Sequence, residues 1–252
     1  MIFSVEEMMH ALAIGDRNGG PIRMALMVAE SLLAHKAYCH ENIADRFVHW
    51  SLHGAFDTGP VWATVIASIA DGRQHLAEAA QAAHDGELRS RTAGANAVHR
   101  VLPLALASSF ISDADLPTVA RHHAEMTHYH PDAGHAAAAF CVIIRAMLKH
   151  RATWEDAVAL GFLECPLVVV PPVVGGYAPH VLHSAIYFVA TSFSFDEAMR
   201  RSFEFAGADN YCPVLVGPMA EGRWPGGSSG RYMGVVDDAL RTDLLRIEKA
   251  LL

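Results

Sequence analysis

The chain has 252 residues, 52% of them apolar and 18% charged, with a formal net charge of −8. That balance favours one large core and excludes binding along a nucleic-acid backbone, which needs a basic face. The first residues lack the basic-then-apolar order of a signal peptide, and no apolar run reaches the roughly 18 residues of a membrane span, so a cytoplasmic protein with no membrane partner is expected.

In chain order the periodicity is helical almost throughout. "FSVEEMMHALAIGD" opens on Ser4 and Glu7 in capping-box spacing and predicts a helix to about Ala13. Pro21 suits the first position of a second helix carrying Met24, Met27, Val28, Leu32 and Leu33 on one face. "ENIADRFVHWSLHG" follows with Ile43, Phe47 and Trp50 as its stripe, then "PVWATVIASIADG", "RQHLAEAAQAAHDG" and, past a Gly-rich break, "VHRVLPLALASSF". Asp115 and Pro117 start "LPTVARHHAEMTH", and "PDAGHAAAAFCVIIRAMLKH" is the most apolar helix and should be central. Thr153 and Asp156 begin "WEDAVALGF", and Ser194 with Glu197 forms a second capping box before "DEAMRRSFEFAG". The last segment, "VVDDALRTDLLRIEKALL", is amphipathic through Leu240, Leu244, Ile247 and Leu251. Only "LVVVPPVVGG" reads as loop or edge, because of its prolines and glycines. With no repeat and no dividing linker, residues 1–252 read as one all-α, single-domain helix bundle, possibly a homo-oligomer. Cys39, Cys141, Cys165 and Cys212 form no C-x-x-C and read as reduced, buried thiols.

Five polar patches interrupt the helices at their junctions: "GDRNGG", "GAFDTGP", "AGANAVHR", "THYHPDAGH" and "GADNYCP". Gly, Asn and Asp at a junction most often do cap and turn work. Recurrence at helix N-termini adds a second reading, since such termini favour anions where they converge. All five are therefore expected on one cleft. His128, His130 and His135 match no zinc spacing, so no metal is expected there.

The wording and order of these patches resemble the ADP-ribosylglycohydrolase family, from about Leu12 to Pro225. "AIGDRNGGP" is similar to its opening G-D-x-x-G-x-P, and "MALMVAESLL" to the helix after its T-D-D-T. "HGAFDTGPVWATV" places Asp57 on the family's aspartate, and "AGANAVHRVLPLAL" resembles G-N-G-x-x-M-R-x-x-P-L-A-L with Arg100 and Pro103 in register. "THYHP" resembles its Thr-His motif, and "FDEAMRRSFEFAGADNYCPVLVGPMAEG" its last segment, which contains G-G-D-x-D-T.

The family holds a pair of magnesium ions through T-D-D-T and the aspartates of G-D-x-D-T. Here Gly19, Gly20, Pro21 and Ile22 stand at the first set, and Ala208, Asn210 and Tyr211 at the second. Magnesium needs hard oxygen ligands, so no dinuclear centre and no cofactor is expected. The resemblance implies a hydrolase with a rebuilt cleft, acting on a small-molecule or ADP-ribosylated substrate, an anionic glycoside. Asp16 and Asp57 are its expected catalytic carboxylates. Arg17, Asn18, Asn96, Arg100, His128, Asp209, Asn210 and Tyr211 are expected to bind substrate. The alternative is an inactive relative that binds ADP-ribose or a related nucleotide. For each residue the bland role stays open: Asp16 and Asp57 as caps, Arg100 in a buried ion pair.

Overall fold

A computed structural model describes residues 5–70, 75–166, 171–207, 210–229 and 242–243. Thirteen helices occur among them, and no strand: α1 Val5–Asp16, α2 Gly20–His35, α3 His40–Leu52, α4 Gly59–Ala70, α5 Leu76–Asp85, α6 Asn96–His99 and α7 Leu102–Leu106, followed by α8 Leu116–Glu125, α9 Pro131–His150, α10 Trp154–Glu164, α11 Ala178–Ala190, α12 Phe195–Phe205 and α13 Pro213–Arg223. The fold is all-α, as the periodicity implied. Ser4, Asp209 and most of the terminal amphipathic segment lie outside the described residues.

The central helix is α9, whose run from Ala136 to Cys141 is wholly buried. It packs against α6, α7, α8, α10, α11 and α13. By length and composition α9 would cross a membrane, contrary to the reading that no run is long enough. However, 72% of its apolar window is buried inside the fold, as in the core helix of a globular domain.

One charge inside α9 shows how the core is tied. Arg145 is 3% exposed. Its guanidinium donates to the carbonyls of Ala105 (2.6 Å), Leu104 (2.9 Å) and Ile111 (3.0 Å), and to Asp113 Oδ1 at 2.8 Å. The planar fork therefore satisfies the C-terminal carbonyls of α7, which no intrahelical N–H reaches.

Three expectations need correction. "VHRVLPLALASSF" is two short helices, α6 and α7, broken at Arg100–Val101. Pro103, within the first turn of α7, cannot donate back into the preceding turn. The segment after "PPVVGG" forms α11, a buried helix whose pattern the sequence reading passed over. Finally α1 continues to Asp16, so the "GD" of the first patch ends a helix and does not form a loop. Its crossing with α13 explains that extension: a Cβ on Gly15 would collide with the Pro213 carbonyl, and one on Gly217 with the Ala11 carbonyl. The four cysteines are free, with Cys39 half-buried and the others buried.

Replacing Arg145 with Met should lower unfolding free energy by about 3–5 kcal/mol, since several buried acceptors lose their donor. Lys149, and then Arg145, hold Asp113 down to about 2. A depressed carboxyl stabilises the fold above its unfolded pKa, so that contribution should disappear as pH falls from about 4 toward 2. Asp113→Asn should remove this acid-range slope in denaturant titrations.

Candidate functional site

The first patch is a helix stop. Arg17 and Asn18 adopt the left-handed conformation (φ 52° and 60°). Their amides donate back to the carbonyls of Ile14 and Ala13, both at 3.2 Å. This ends α1 much as a Schellman turn does. Gly19 N–H then donates to Asp16 O at 3.1 Å, and the chain enters α2.

Two carboxyl groups hold the start of α2. Asp16 Oδ2 accepts the Ile22 N–H at 2.8 Å, and Asp57 Oδ2 accepts the Gly20 N–H at 3.2 Å. These amides have no partner within the helix, so both aspartates act as caps from outside it. Asp57 itself sits at φ 54°, a backbone state that Asp tolerates better than most residues. Glycine at 19 leaves room for both carboxyls. A Cβ there would run into Asp57 Oδ2 and stand 3.0 Å from Asp16 Oδ1. Gly20 is equally confined, with the Phe56 and Asp57 carbonyls 2.5 Å from a would-be Cβ.

Beside this knot opens a cavity of about 490 Å³, to which four of the five patches contribute through Asp57, Asn96, His99, His128 and Tyr211, while the first patch is represented only by Pro21, the residue that follows it. Two glycines complete it. Gly94 pairs with Tyr177 in an isolated antiparallel bridge, and Ala95 N–H donates to Gly176 O at 2.9 Å, bringing "PPVVGG" against "AGAN". A Cβ on Gly94 would come within 3.1 Å of the His128 ring, so the imidazole lies flush with the wall.

The polar atoms at this wall are only partly used. Asn96 Nδ2 donates to Thr58 O at 2.9 Å, while its buried Oδ1 has no partner, nor has the buried Nε2 of His99. Burial, with the nearby Arg100 charge, pushes His99 down to about 3 and His128 well below the usual imidazole range, so both are neutral. Burial also raises the Tyr211 phenol, with Asp16 and Asp57 adding to the effect and Arg17 opposing it.

The expected site residues therefore separate. Asp57, Asn96, His128 and Tyr211 come together at the cavity. Asp16 is 2% exposed and sits behind Gly19, one shell away from the wall. Arg17 turns out over Phe203, 4.5 Å from the ring centroid, into a neighbouring groove with Ser194, Asp196 and Glu204. Asn18 belongs to the α1 turn. Asn210 is structural, donating to Val173 O (2.7 Å) and Ser184 Oγ (3.1 Å) and accepting from Cys212 N–H. Asp209 lies outside the described residues.

Arg100 is the clearest departure. It is fully buried and points away from the cavity, donating to His123 Nε2 (3.2 Å) and Thr127 Oγ1 (2.5 Å) and lying over Phe47. Among the described residues no carboxylate completes the ion pair that was its alternative. His99 stands in the "AGANAVHR" patch but was not among the expected site residues, although its spacing from Asn96 (i, i+3 on α6) puts the two on one face.

An all-α bundle with polar helix junctions gathered at one cavity defines the class of fold, and known proteins identify the family. The ADP-ribosylglycohydrolase family model matches residues 21–212, and the chain belongs to that family. The match starts at Pro21, so "GDRNGG" precedes it and the matched span is narrower than the Leu12–Pro225 resemblance. A solved structure titled "ADP-ribosylglycohydrolase-related protein complex" shares the fold, with a TM-score of 0.74 at 20% identity over 98% of each chain. No curated protein matches the sequence.

Burial pushes Asp16 up to about 8, with the Asp57 charge contributing. A raised carboxyl binds its proton more tightly folded than unfolded. The associated stability is full below about pH 4 and lost as pH rises through about 8. Asp16→Asn should flatten that decline, which reaches at most about 1.4 kcal/mol per pH unit, in urea titrations from pH 4 to 8.

Proposed function

We propose that the chain is a glycohydrolase that cleaves an ADP-ribosyl or related glycosidic bond in the Asp57–Asn96–His128–Tyr211 cavity, without a dinuclear magnesium centre. The observation that carries this reading is a single carboxylate, Asp57, at the wall of a cavity where Asn96 Oδ1 and His99 Nε2 lack partners. Glycoside cleavage passes through an oxocarbenium-like state, which a carboxylate stabilises. The bond from the anomeric carbon to the leaving group breaks with its electron pair going to the leaving atom. Water then adds to that carbon, and its proton passes to Asp57 and from there to the leaving atom, which restores the carboxylate. Tyr211, kept protonated, donates a hydrogen bond to the leaving group. Asp16 is a positioning residue that holds α2, rather than the second catalytic carboxylate expected from the sequence. Among the described residues neither Lys nor Arg lines the cavity, so a phosphate-bearing portion of the substrate extends toward Arg17, whose charge reaches Tyr211.

The donors here do not fit a magnesium pair. Among the described residues no group of three or more His, Cys, Asp and Glu is placed to hold a metal ion. Each of the two nearby carboxyls already accepts a backbone N–H, and burial keeps Asp16 protonated near neutral pH. Magnesium surrenders its waters only to a more strongly charged oxygen cage. The same commitment of both carboxyls to α2 favours a second reading, a non-catalytic binder of ADP-ribose or a related nucleotide.

ADP-ribose should raise the thermal midpoint by mass action. Asp57→Asn keeps an acceptor for Gly20 N–H, so it should preserve that shift while reducing hydrolysis of ADP-ribosylated substrates roughly 10²–10⁴-fold. Turnover that survives the change would move catalysis elsewhere, and binding without turnover in the wild type would select the binder. Dialysis against EDTA should leave activity intact. Two magnesium ions per chain by elemental analysis would overturn the metal-free reading.

A further inference from the structure

Behind the cavity wall runs a chain of buried hydrogen bonds that the proposed chemistry does not use. Arg100 NH2 donates to Thr127 Oγ1 at 2.5 Å, and Thr127 Oγ1 lies 2.8 Å from His128 Nδ1. Arg100 and Thr127 are both fully buried, and the His128 ring forms part of the cavity wall.

The direction of this chain follows from counting protons. A guanidinium has only donors, so the Thr127 oxygen accepts from Arg100. The Thr127 hydroxyl retains one proton, and burial requires an acceptor for it. Among the described residues the acceptor it meets is His128 Nδ1. Were Nδ1 protonated instead, the Thr127 oxygen would accept twice and its own hydrogen would be stranded. An imidazole whose Nδ1 accepts, and which stays neutral, carries its proton on Nε2. Burial and the Arg100 charge keep His128 neutral. No protein group takes up that Nε2–H among the described residues, and its edge of the ring meets Gly94 at the cavity wall.

We propose that Arg100, acting through Thr127, fixes His128 as a permanent Nε2–H donor to an oxygen acceptor of the ligand, with Arg100 and Thr127 as positioning residues. Ligand contact rests on the cavity being the substrate site, as proposed above; the tautomer does not. The arrangement also accounts for an arginine buried without a carboxylate. Its charge enforces proton positions in two directions, because it also donates directly to His123 Nε2 and so places the His123 proton on Nδ1. His128 and His123 should therefore be opposite tautomers.

The test begins with the free protein. Long-range ¹H–¹⁵N correlation spectra at pH 7 should show His128 protonated on Nε2 and His123 on Nδ1. Finding His128 protonated on Nδ1, or on both nitrogens, overturns the proposal. Thr127→Val keeps shape but deletes the hydroxyl, and should leave His128 as a mixture of tautomers. Thr127→Ser should restore the Nε2–H form, and an unchanged spectrum in the valine variant overturns the relay. If Thr127→Val does not fold, the wild-type and serine spectra still decide the tautomer. Calorimetric titration with ADP-ribose should then show about tenfold weaker binding for Thr127→Val, the worth of one hydrogen bond, and recovery for Thr127→Ser. Equal affinity in all three proteins overturns the donor role. A fixed Nε2–H tautomer in a protein that binds no ADP-ribose supports the relay and counts against ADP-ribosyl recognition alone.

Discussion

The cavity depends on how α2 begins. Its first amides are exposed donors that need acceptors, and the chain supplies them from two distant places: the end of α1 and the loop before α4. Asp16 and Asp57 pull those segments onto one helix terminus, and only glycine at 19 and 20 leaves room for them to meet. Once that contact exists, Pro21, Asp57 and Gly59 share a wall, and Asn96 is drawn in by its hydrogen bond to Thr58 O. Capping and site formation are the same act here. This is why the two carboxylates cannot be sorted cleanly into structural and chemical residues by type alone.

A second theme is the handling of buried cations. Arg145 and Arg100 both lie inside the core, and they are neutralised differently. Arg145 reaches Asp113 at the surface and closes the end of α7 with the rest of its fork. Arg100 has an aromatic face, a hydroxyl and an imidazole instead. Without a carboxylate its guanidinium is lowered to about 9 by burial, yet stays charged near neutral pH. A charge held that way polarises whatever surrounds it, and what surrounds it leads to the cavity.

Legibility differed between fold and site. Period-3.6 patterning identified most helices, and Thr153 and Ser194 cap α10 and α12 as their spacing implied, each accepting an amide three residues on. The pattern failed at Arg100–Val101, where a buried cation and Pro103 divide an apolar run that looks continuous. Asp57, Asn96, His128 and Tyr211, singled out in the sequence as polar residues at helix junctions, line one cavity. Arg17, Arg100 and Asn210 were misjudged for one reason: residue type and junction position say nothing about which way a side chain turns. Arg17 follows the left-handed stop of α1 outward, and Arg100 sits one residue beyond a four-residue helix and turns inward.

The sequence by itself determined the helical class, the centrality of α9, the family and the set of junctions where chemistry would be found. Those properties are local: periodicity, caps, turn residues and motif order are written within short windows of chain. Tertiary structure alone decided that Asp16 stands behind the wall and Asp57 on it. It also decided that no Lys or Arg among the described residues lines the cavity, and that Arg100 speaks to the cavity through Thr127 and His128. The contacts that place Arg100 against Thr127 and Gly20 against Asp57 join residues 27 and 37 positions apart. The direction of a side chain at such a distance is set by the packing of helices, which no short window contains.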